Sequence, residues 1–299
     1  MRITLTGATG FLGRRLIQHL SDGGHSLCLL TRKPITGLPP STEAVIWDPA
    51  KREAPAEALQ NSDAVIHLAG APVNQRWTSH AKDLITSSRI ESTRRLVQSL
   101  STLSRRPPLL ISASAIGFYG DRGDEVLDEN STPGAGFLAD LSIEWEKQAN
   151  LARSLGMRVI NLRTGVVLGK DGGALSSMLP PFKFGVGGEI GSGQQWMSWI
   201  HIEDWLGIVR NLLADQTPSG PVNLTSPNPV QNSEFARTIG QVLQTPAIFT
   251  VPAFIIKTLL GEMASLALGS QRVLPVVMGR SGYSFRYPQL ESALRNLLQ

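Results

Sequence analysis

Residues 3–13 read Ile3-Thr4-Leu5-Thr6-Gly7-Ala8-Thr9-Gly10-Phe11-Leu12-Gly13, an apolar strand running straight into a turn with glycine at every third position. A tight strand-to-helix turn needs a residue that tolerates positive φ, and a pyrophosphate needs backbone N–H groups it can approach closely. The third glycine lets the following helix, expected from Arg14 to Leu20, pack against the strand. Strand, turn and helix arrive in the order a dinucleotide site requires. Gly7, Thr9, Gly10, Phe11, Leu12 and Gly13 are therefore expected to cradle a cofactor.

Outward from this loop, strand and helix signals alternate. Strands are expected at 25–31, 44–47, 64–69, 109–112, 158–162 and 221–225, and helices at 80–101, 137–155 and 202–213. This βαβ succession predicts an α/β fold of the Rossmann type, a doubly wound parallel sheet with helices on both faces. Its ligand crevice should lie at the carboxyl ends of the strands. Residues 164–200 are rich in glycine, proline and polar residues, where a substrate lid is expected. From Val251 onward the pattern is mainly helical. The expected division is a Rossmann domain over 1–165, to which 200–226 returns, and a smaller substrate domain from 166–199 and 227–299.

With 28 basic and 24 acidic residues the 299-residue chain carries a formal net charge of +4 and no basic block, so nucleic acid is not an expected partner. The lone Cys28 lies in an apolar strand and reads as a small core hydrophobe. The longest apolar stretch, 251–268, is interrupted by Lys257 and Glu262, which argues against a membrane span. The chain opens directly on a strand, so no signal peptide is expected and the expected location is cytoplasmic. The expected partner is a small-molecule substrate, and nothing in the sequence sets an oligomeric state. The five histidines are scattered and no second cysteine accompanies Cys28, so no metal site is expected.

The end of the second strand bears on cofactor choice. NAD-selective folds carry an acidic residue about 20 positions past the glycines, on the ribose 2′-hydroxyl. This chain has Thr31-Arg32-Lys33 there. A carboxylate would repel a 2′-phosphate, whereas Arg32 can bind one through two charge-assisted hydrogen bonds. NADP(H) is the expected cofactor. Asp48, after the third strand, is placed either to bond the adenine edge or to form an ordinary turn before Pro49.

Taken together, these motifs resemble the extended short-chain dehydrogenase/reductase superfamily, with its nucleotide-sugar epimerases and dehydratases. The phosphate loop Thr6–Gly13 carries the resemblance. So do His67-Leu68-Ala69-Gly70-Ala71-Pro72, the serine-bearing Ser112–Gly120 and Arg163-Thr164-Gly165-Val166-Val167-Leu168-Gly169. Arg76-Trp77-Thr78, Ser88–Thr93, Ser198–Asp204 and the C-terminal 251–288 are similar to one atypical branch. That branch is epimerase-like and cell-division-inhibitor-like (SulA-like), with its own C-terminal domain of unknown function. The resemblance implies that Leu68, Ala69 and Gly70 line the cofactor and that Arg163 and Gly165 pass the nicotinamide. It implies NADP binding, with a nucleotide-linked sugar or a small carbonyl compound as substrate.

Catalysis in that superfamily needs a tyrosine acid/base with a lysine four residues later, which lowers the phenol's pKa and holds the nicotinamide ribose. The pair is absent. Glycine follows four residues after Tyr119, tyrosine after Tyr283 and glutamate after Tyr287. On the expected helix Gly136 or Phe137 takes the tyrosine position and Asp140 the lysine position. Ser114 remains for polarising a substrate oxygen, and Tyr119 is the best remaining phenol. Arg89 stands where such proteins usually carry an asparagine; a buried arginine there needs a carboxylate, a cofactor phosphate or Asp140. His67 reads as structural or cofactor-lining. Two functions stay open: an NADP(H)-dependent epimerase or oxidoreductase, and an NADP(H)-binding regulatory protein without turnover.

Overall fold

The computed structural model describes all 299 residues. Seven parallel strands form the main sheet: β1 (Arg2–Thr6), β2 (Ser26–Thr31), β3 (Thr42–Ile46), β4 (Ala64–His67), β5 (Leu109–Ala115), β6 (Arg158–Thr164) and β7 (Gly220–Leu224). Their order is β3-β2-β1-β4-β5-β6-β7. The order reverses between β1 and β4, which opens a crevice at the carboxyl ends of those strands. This is the Rossmann-type α/β sheet expected from the loop at Gly7–Gly13.

Alternation along the strands decides which residues face which layer. Ile3, Leu5, Leu27, Leu29 and Ile111 face one layer, in a 40-residue core that extends to Leu297 near the C-terminus. Cys28, Leu30, Val65, Leu110 and Val159 face the opposite layer, in a 16-residue core. Cys28 is fully buried there. Because both faces are covered, these strands carry apolar residues on both sides, with buried Thr4, Ser114, Asn161 and Arg163 among them.

The main helices are α1 (Phe11–Asp22), α2 (Ser79–Ser101), α3 (Phe137–Asn150), α4 (Gly173–Lys183), α5 (Ile202–Ala214), α6 (Asn232–Leu243), α7 (Ala253–Leu260) and α8 (Leu290–Leu298). α2 starts where Thr78 accepts the Ala81 N–H on its side chain, 3.2 Å away. α3 stops at Asn150 and passes into a 3₁₀ stretch, Leu151–Leu155, rather than running on as one helix to 155.

Residues 164–200 depart from the expected glycine-rich lid. They hold short strands at Val166–Gly169, Gly188–Ile190, Trp196–Met197 and Trp199–His201, and helix α4. α4 contains Pro180 and Pro181, which normally argue against a helix. Its buried positions Leu175, Leu179 and Phe182 recur at helical spacing, while the prolines and Ser176 and Ser177, four residues before them, are exposed. Water can satisfy the two carbonyls that the prolines leave unpaired, and the apolar stripe holds the helix down. None of the helices is long and apolar enough to cross a membrane.

One buried carboxylate helps to hold the C-terminal segment. Asp204 on α5 accepts the backbone N–H groups of Arg286 (2.6 Å) and Tyr287 (2.8 Å). Burial pushes its carboxyl above the usual range, against the pull of those N–H donors.

Candidate active site

At the turn after β1, Gly7 has φ +77°, and a Cβ there would lie 2.6 Å from the Leu68 carbonyl carbon. A Cβ on Gly13 would be driven into the Gly7 carbonyl oxygen. Both positions therefore require glycine, one for its conformation and one for close approach. Gly10 caps α1 without a side-chain hydrogen bond, and the first turn of α1 carries no acidic residue. The N–H groups of that turn stay free for an anion, which the helix dipole also favours. The ring of Phe11 packs against Gly169 and Gly172, fastening this loop to the turn before α4.

From the loop a cavity of about 1390 Å³ runs past Leu68, Arg89, Ser114 and Gly165. Small-molecule pockets are typically ~300–1,000 Å³, so this one has room for a dinucleotide and a second ligand. Its far side is covered by α7 and the segment 261–269, through Ala253, Lys257, Glu262 and Leu266. Glu262 pairs with Lys82 of α2, which also sits over the Phe137 ring at 5.2 Å. Much of the cover thus comes from the C-terminal segment.

Ser114 is aligned in register with Arg163, and Arg163 with Asn223, in a row across β5, β6 and β7. Ser114 lines the cavity and donates to Glu146 Oε1 at 2.6 Å. Arg163 binds the same carboxylate through Nε (2.8 Å) and Nη2 (2.9 Å), with both side chains buried. Burial opposes the guanidinium's charge, but its bonds to Glu146 raise its pKa further above its ordinary value. Its Nη1 donates to the Tyr119 hydroxyl at 3.0 Å, and that hydroxyl donates to Asn223 Oδ1 at 2.8 Å. Asn223 Nδ2 in turn donates to the Leu274 carbonyl. One polar chain therefore links the cavity wall to the C-terminal segment.

The structure places three of the residues singled out in the sequence away from the cavity or from the partner offered for them. Tyr119 is fully buried and does not line the cavity, and its hydroxyl is taken up by Arg163 and Asn223. Burial pushes its phenol above the usual value, although Arg163 pulls it down. Arg163 does not line the cavity either; its guanidinium is taken up by Glu146, Tyr119 and the face of Phe118, 3.5 Å from the ring centroid. Asp140 is exposed and does not pair with Arg89. The sequence reading missed Glu146, yet a signal was present. Buried Ala139, Ser142, Glu146 and Ala149 recur at helical spacing on α3, and a charge among them demands a partner.

The face of α3 that looks into the cavity carries Leu138, Leu141, Ser142 and Trp145. Leu138 and Ser142 form an i, i+4 pair in which neither residue titrates near neutral pH. The tyrosine–lysine pair is thus missing from this face of the structure too.

Arg89 lines the cavity beside Gly70, where a Cβ would sit 3.0 Å from its guanidinium carbon. Its hydrogen bonds run from Nη1 to the Ala71 (2.9 Å) and Ile85 (3.2 Å) carbonyls. Burial alone lowers its pKa to about 10. Thr9, Arg32, Asp48, Ala69 and Gly70 lie outside the cavity lining. Arg32 is exposed at the end of β2, next to Thr31. Asp48 shapes a turn, accepting the Ala50 N–H and facing Lys51 at 3.7 Å. His67 is fully buried between Thr6 (2.7 Å) and Thr93 (3.1 Å), and burial pushes its imidazole down to about 4, so it is a neutral structural group.

Residues 3–224 match the model of the NAD dependent epimerase/dehydratase family, and residues 251–297 a domain of unknown function. The chain is 41% identical over its full length to an epimerase family protein SDR39U1 homolog, chloroplastic, of Arabidopsis thaliana, covering 87% of that protein. It is 39% identical, again over its full length, to the epimerase family protein YfhF of Bacillus subtilis, covering 98% of it. The crystal structure of human epimerase family protein SDR39U1 (isoform 2) with NADPH superposes with a TM-score of 0.90. That protein is 33% identical, with 99% of each chain covered. These relatives are named as epimerase family proteins and lend no support to a cell-division-inhibitor label.

Proposed function

We propose that this chain, which belongs to the NAD-dependent epimerase/dehydratase family, binds NADP(H) and uses it on a hydroxyl or carbonyl carbon of a small molecule. The observation that carries the reading is the 2.6 Å hydrogen bond from cavity-lining Ser114 to the buried carboxylate of Glu146. The uncapped first turn of α1 and the glycines at 7, 10 and 13 suit a pyrophosphate, and Arg32 suits a 2′-phosphate.

The nicotinamide, when bound, supplies or accepts a hydride. The protein's share is the proton. Ser114 Oγ faces the space where a substrate oxygen would sit. As an alcohol is oxidised, its proton passes to Ser114 Oγ while the serine's own proton moves to Glu146 Oε1; reduction runs the same path backwards. Arg163 grips both carboxylate oxygens and keeps Glu146 turned toward the serine. The Ser114–Glu146 couple thus stands in for the missing tyrosine and lysine.

The test is NADPH oxidation against a panel of aldehydes, ketones, keto acids and nucleotide-linked sugars. Turnover is expected with at least one class. Ser114→Ala and Glu146→Gln should each lower it about 100-fold, as removal of a general acid/base does, with NADPH affinity unchanged. A second reading is a binding protein without turnover, favoured by the absence of any titratable residue on the cavity face of α3. Tight NADPH binding with no oxidation of any compound would establish that reading and overturn the first.

Cofactor choice is tested separately. Arg32→Asp should weaken NADPH binding about tenfold or more while barely changing NADH, because only NADPH carries the 2′-phosphate. Equal losses in a calorimetric titration would remove Arg32 from that role.

A further inference from the structure

We infer that the second ligand of this cavity is an uncharged, largely apolar carbonyl compound, or the matching alcohol, and not a nucleotide-linked sugar. The inference rests on the reading that the cavity holds NADP(H) beside a small molecule, and it names that molecule's class.

Away from the glycine loop the cavity wall is apolar. Leu138 and Leu141 face it from α3, and Trp77 and Phe137 line it beside them. Trp77 and Phe137 meet edge to face, with centroids 5.0 Å apart. Both pack in one cluster with Leu141, and Met263 of the covering segment joins it, which sets this cluster at the cavity's far side. The indole N–H of Trp77 is committed to the Val73 carbonyl at 2.9 Å, so that ring offers a ligand apolar surface and no donor. Leu138 is seated against Gly117, where a Cβ would lie 3.1 Å from the leucine's own. The cover adds Ala253, Leu266 and Leu268. A ligand body bounded in this way gains affinity by leaving water.

A nucleotide-linked sugar needs what this wall lacks. Its diphosphate brings negative charge, and its sugar brings several hydroxyls. Four charged side chains line the cavity, Arg89, Asp121, Lys257 and Glu262, and two of them are acids. Arg89 stands beside Gly70 and is counted with the cofactor, while Glu262 is paired with Lys82. The cation left is Lys257, exposed on α7. The first turn of α1 is assigned to the cofactor. The N-terminus of α3 also opens on the cavity, at Gly136, but its first turn carries the carboxylate of Asp140, which disfavours an anion.

Partners for sugar hydroxyls are equally few. Ser142, Thr164 and Ser265 line the cavity but donate to backbone carbonyls, at 2.8, 3.3 and 2.9 Å. The amide groups of Gln195 and Gln271 donate to the carbonyls of Ala267 and Ile116, which fastens the cover to the rest of the wall. A ligand rich in hydroxyls would leave several of them unpaired on burial, at a cost in affinity. A single carbonyl or hydroxyl oxygen is met by Ser114 alone.

The test is calorimetric, on the full chain saturated with NADPH, with three probes: the neutral ketone 2-acetonaphthone, the anion 2-naphthoate, and UDP-glucose. The ketone is expected to bind at least about tenfold more tightly than either of the others, because the apolar wall leaves a buried charge unpaired. Leu266→Arg should weaken the ketone about tenfold and leave NADPH affinity unchanged, whereas Leu266→Met should keep the ketone's affinity. Leu266 is 45% exposed, so the fold should tolerate both changes. If a variant fails to fold, the comparison of the three probes on the unaltered chain still decides. UDP-glucose or 2-naphthoate binding within about tenfold of the ketone, or no binding of the ketone, overturns the proposal. So does a Leu266→Arg chain that binds the ketone unchanged, since the ligand would then not lie against the cover. Because only binding is read, failure of the Ser114–Glu146 chemistry would show in the turnover assay and not here.

Discussion

Arg163→Met is expected to destabilise the folded chain by about 3–5 kcal/mol, because it leaves Glu146 as a buried carboxylate without its partner. Both side chains are nearly sealed from solvent, at 5% and 8% exposure, so water cannot take over. The substitution also strips Tyr119 of a hydrogen bond and Phe118 of the cation on its face. The double variant Arg163→Met/Glu146→Gln should recover most of the loss, since a neutral amide can still accept from Ser114 and leaves no charge unpaired. Equilibrium denaturation of the three chains measures both effects. A loss below about 1 kcal/mol for Arg163→Met, the level of an exposed pair, would mean that this pair is not insulated from water.

Gly13→Ala is expected to strike the fold and the cofactor site together. The added Cβ meets the Gly7 carbonyl oxygen, backbone against backbone, and no side chain can rotate away to relieve the clash. α1 must shift off β1, at the ~1–3 kcal/mol of an overpacked core site. The same shift moves the free N–H groups of the first turn, and NADPH affinity should fall about 100-fold or more, the scale of two charge-assisted bonds lost. Gly10→Ala makes the contrast. Its Cβ would lie 3.4 Å from the Gly7 oxygen, an ordinary contact, so the fold should stand. The methyl group would still enter the space offered to the phosphates, and binding should weaken without loss of stability. Comparable denaturation midpoints for Gly13→Ala and the unaltered chain would refute the close-approach argument.

The strand-to-helix turn was legible in the sequence because its constraints are local. Gly7 must adopt positive φ and Gly13 must let a helix touch a strand, and both demands fall within a dozen residues. The parallel sheet was legible because mostly apolar short segments alternate with helical repeats, and strand boundaries differed from expectation by only a few residues. The absence of a tyrosine–lysine pair was legible too, since three tyrosines can be checked one by one.

α4 escaped because its prolines outweighed a three-residue apolar stripe whose burial depends on the rest of the fold. Glu146 and Arg163 stand 17 residues apart and meet only when α3 lies against β6. Tyr119 and Asn223, 104 residues apart, meet only when β7 has returned to the sheet. The sequence by itself determined the strand-to-helix turn at Gly7–Gly13, whose demands lie in backbone conformation over one short stretch. Which side chains reach the cavity was decided by the tertiary structure alone. Ser114 and Arg89 line it, while Tyr119 and Arg163 are buried and do not. Burial and hydrogen-bond partners of that kind come from segments that the chain keeps far apart until it folds.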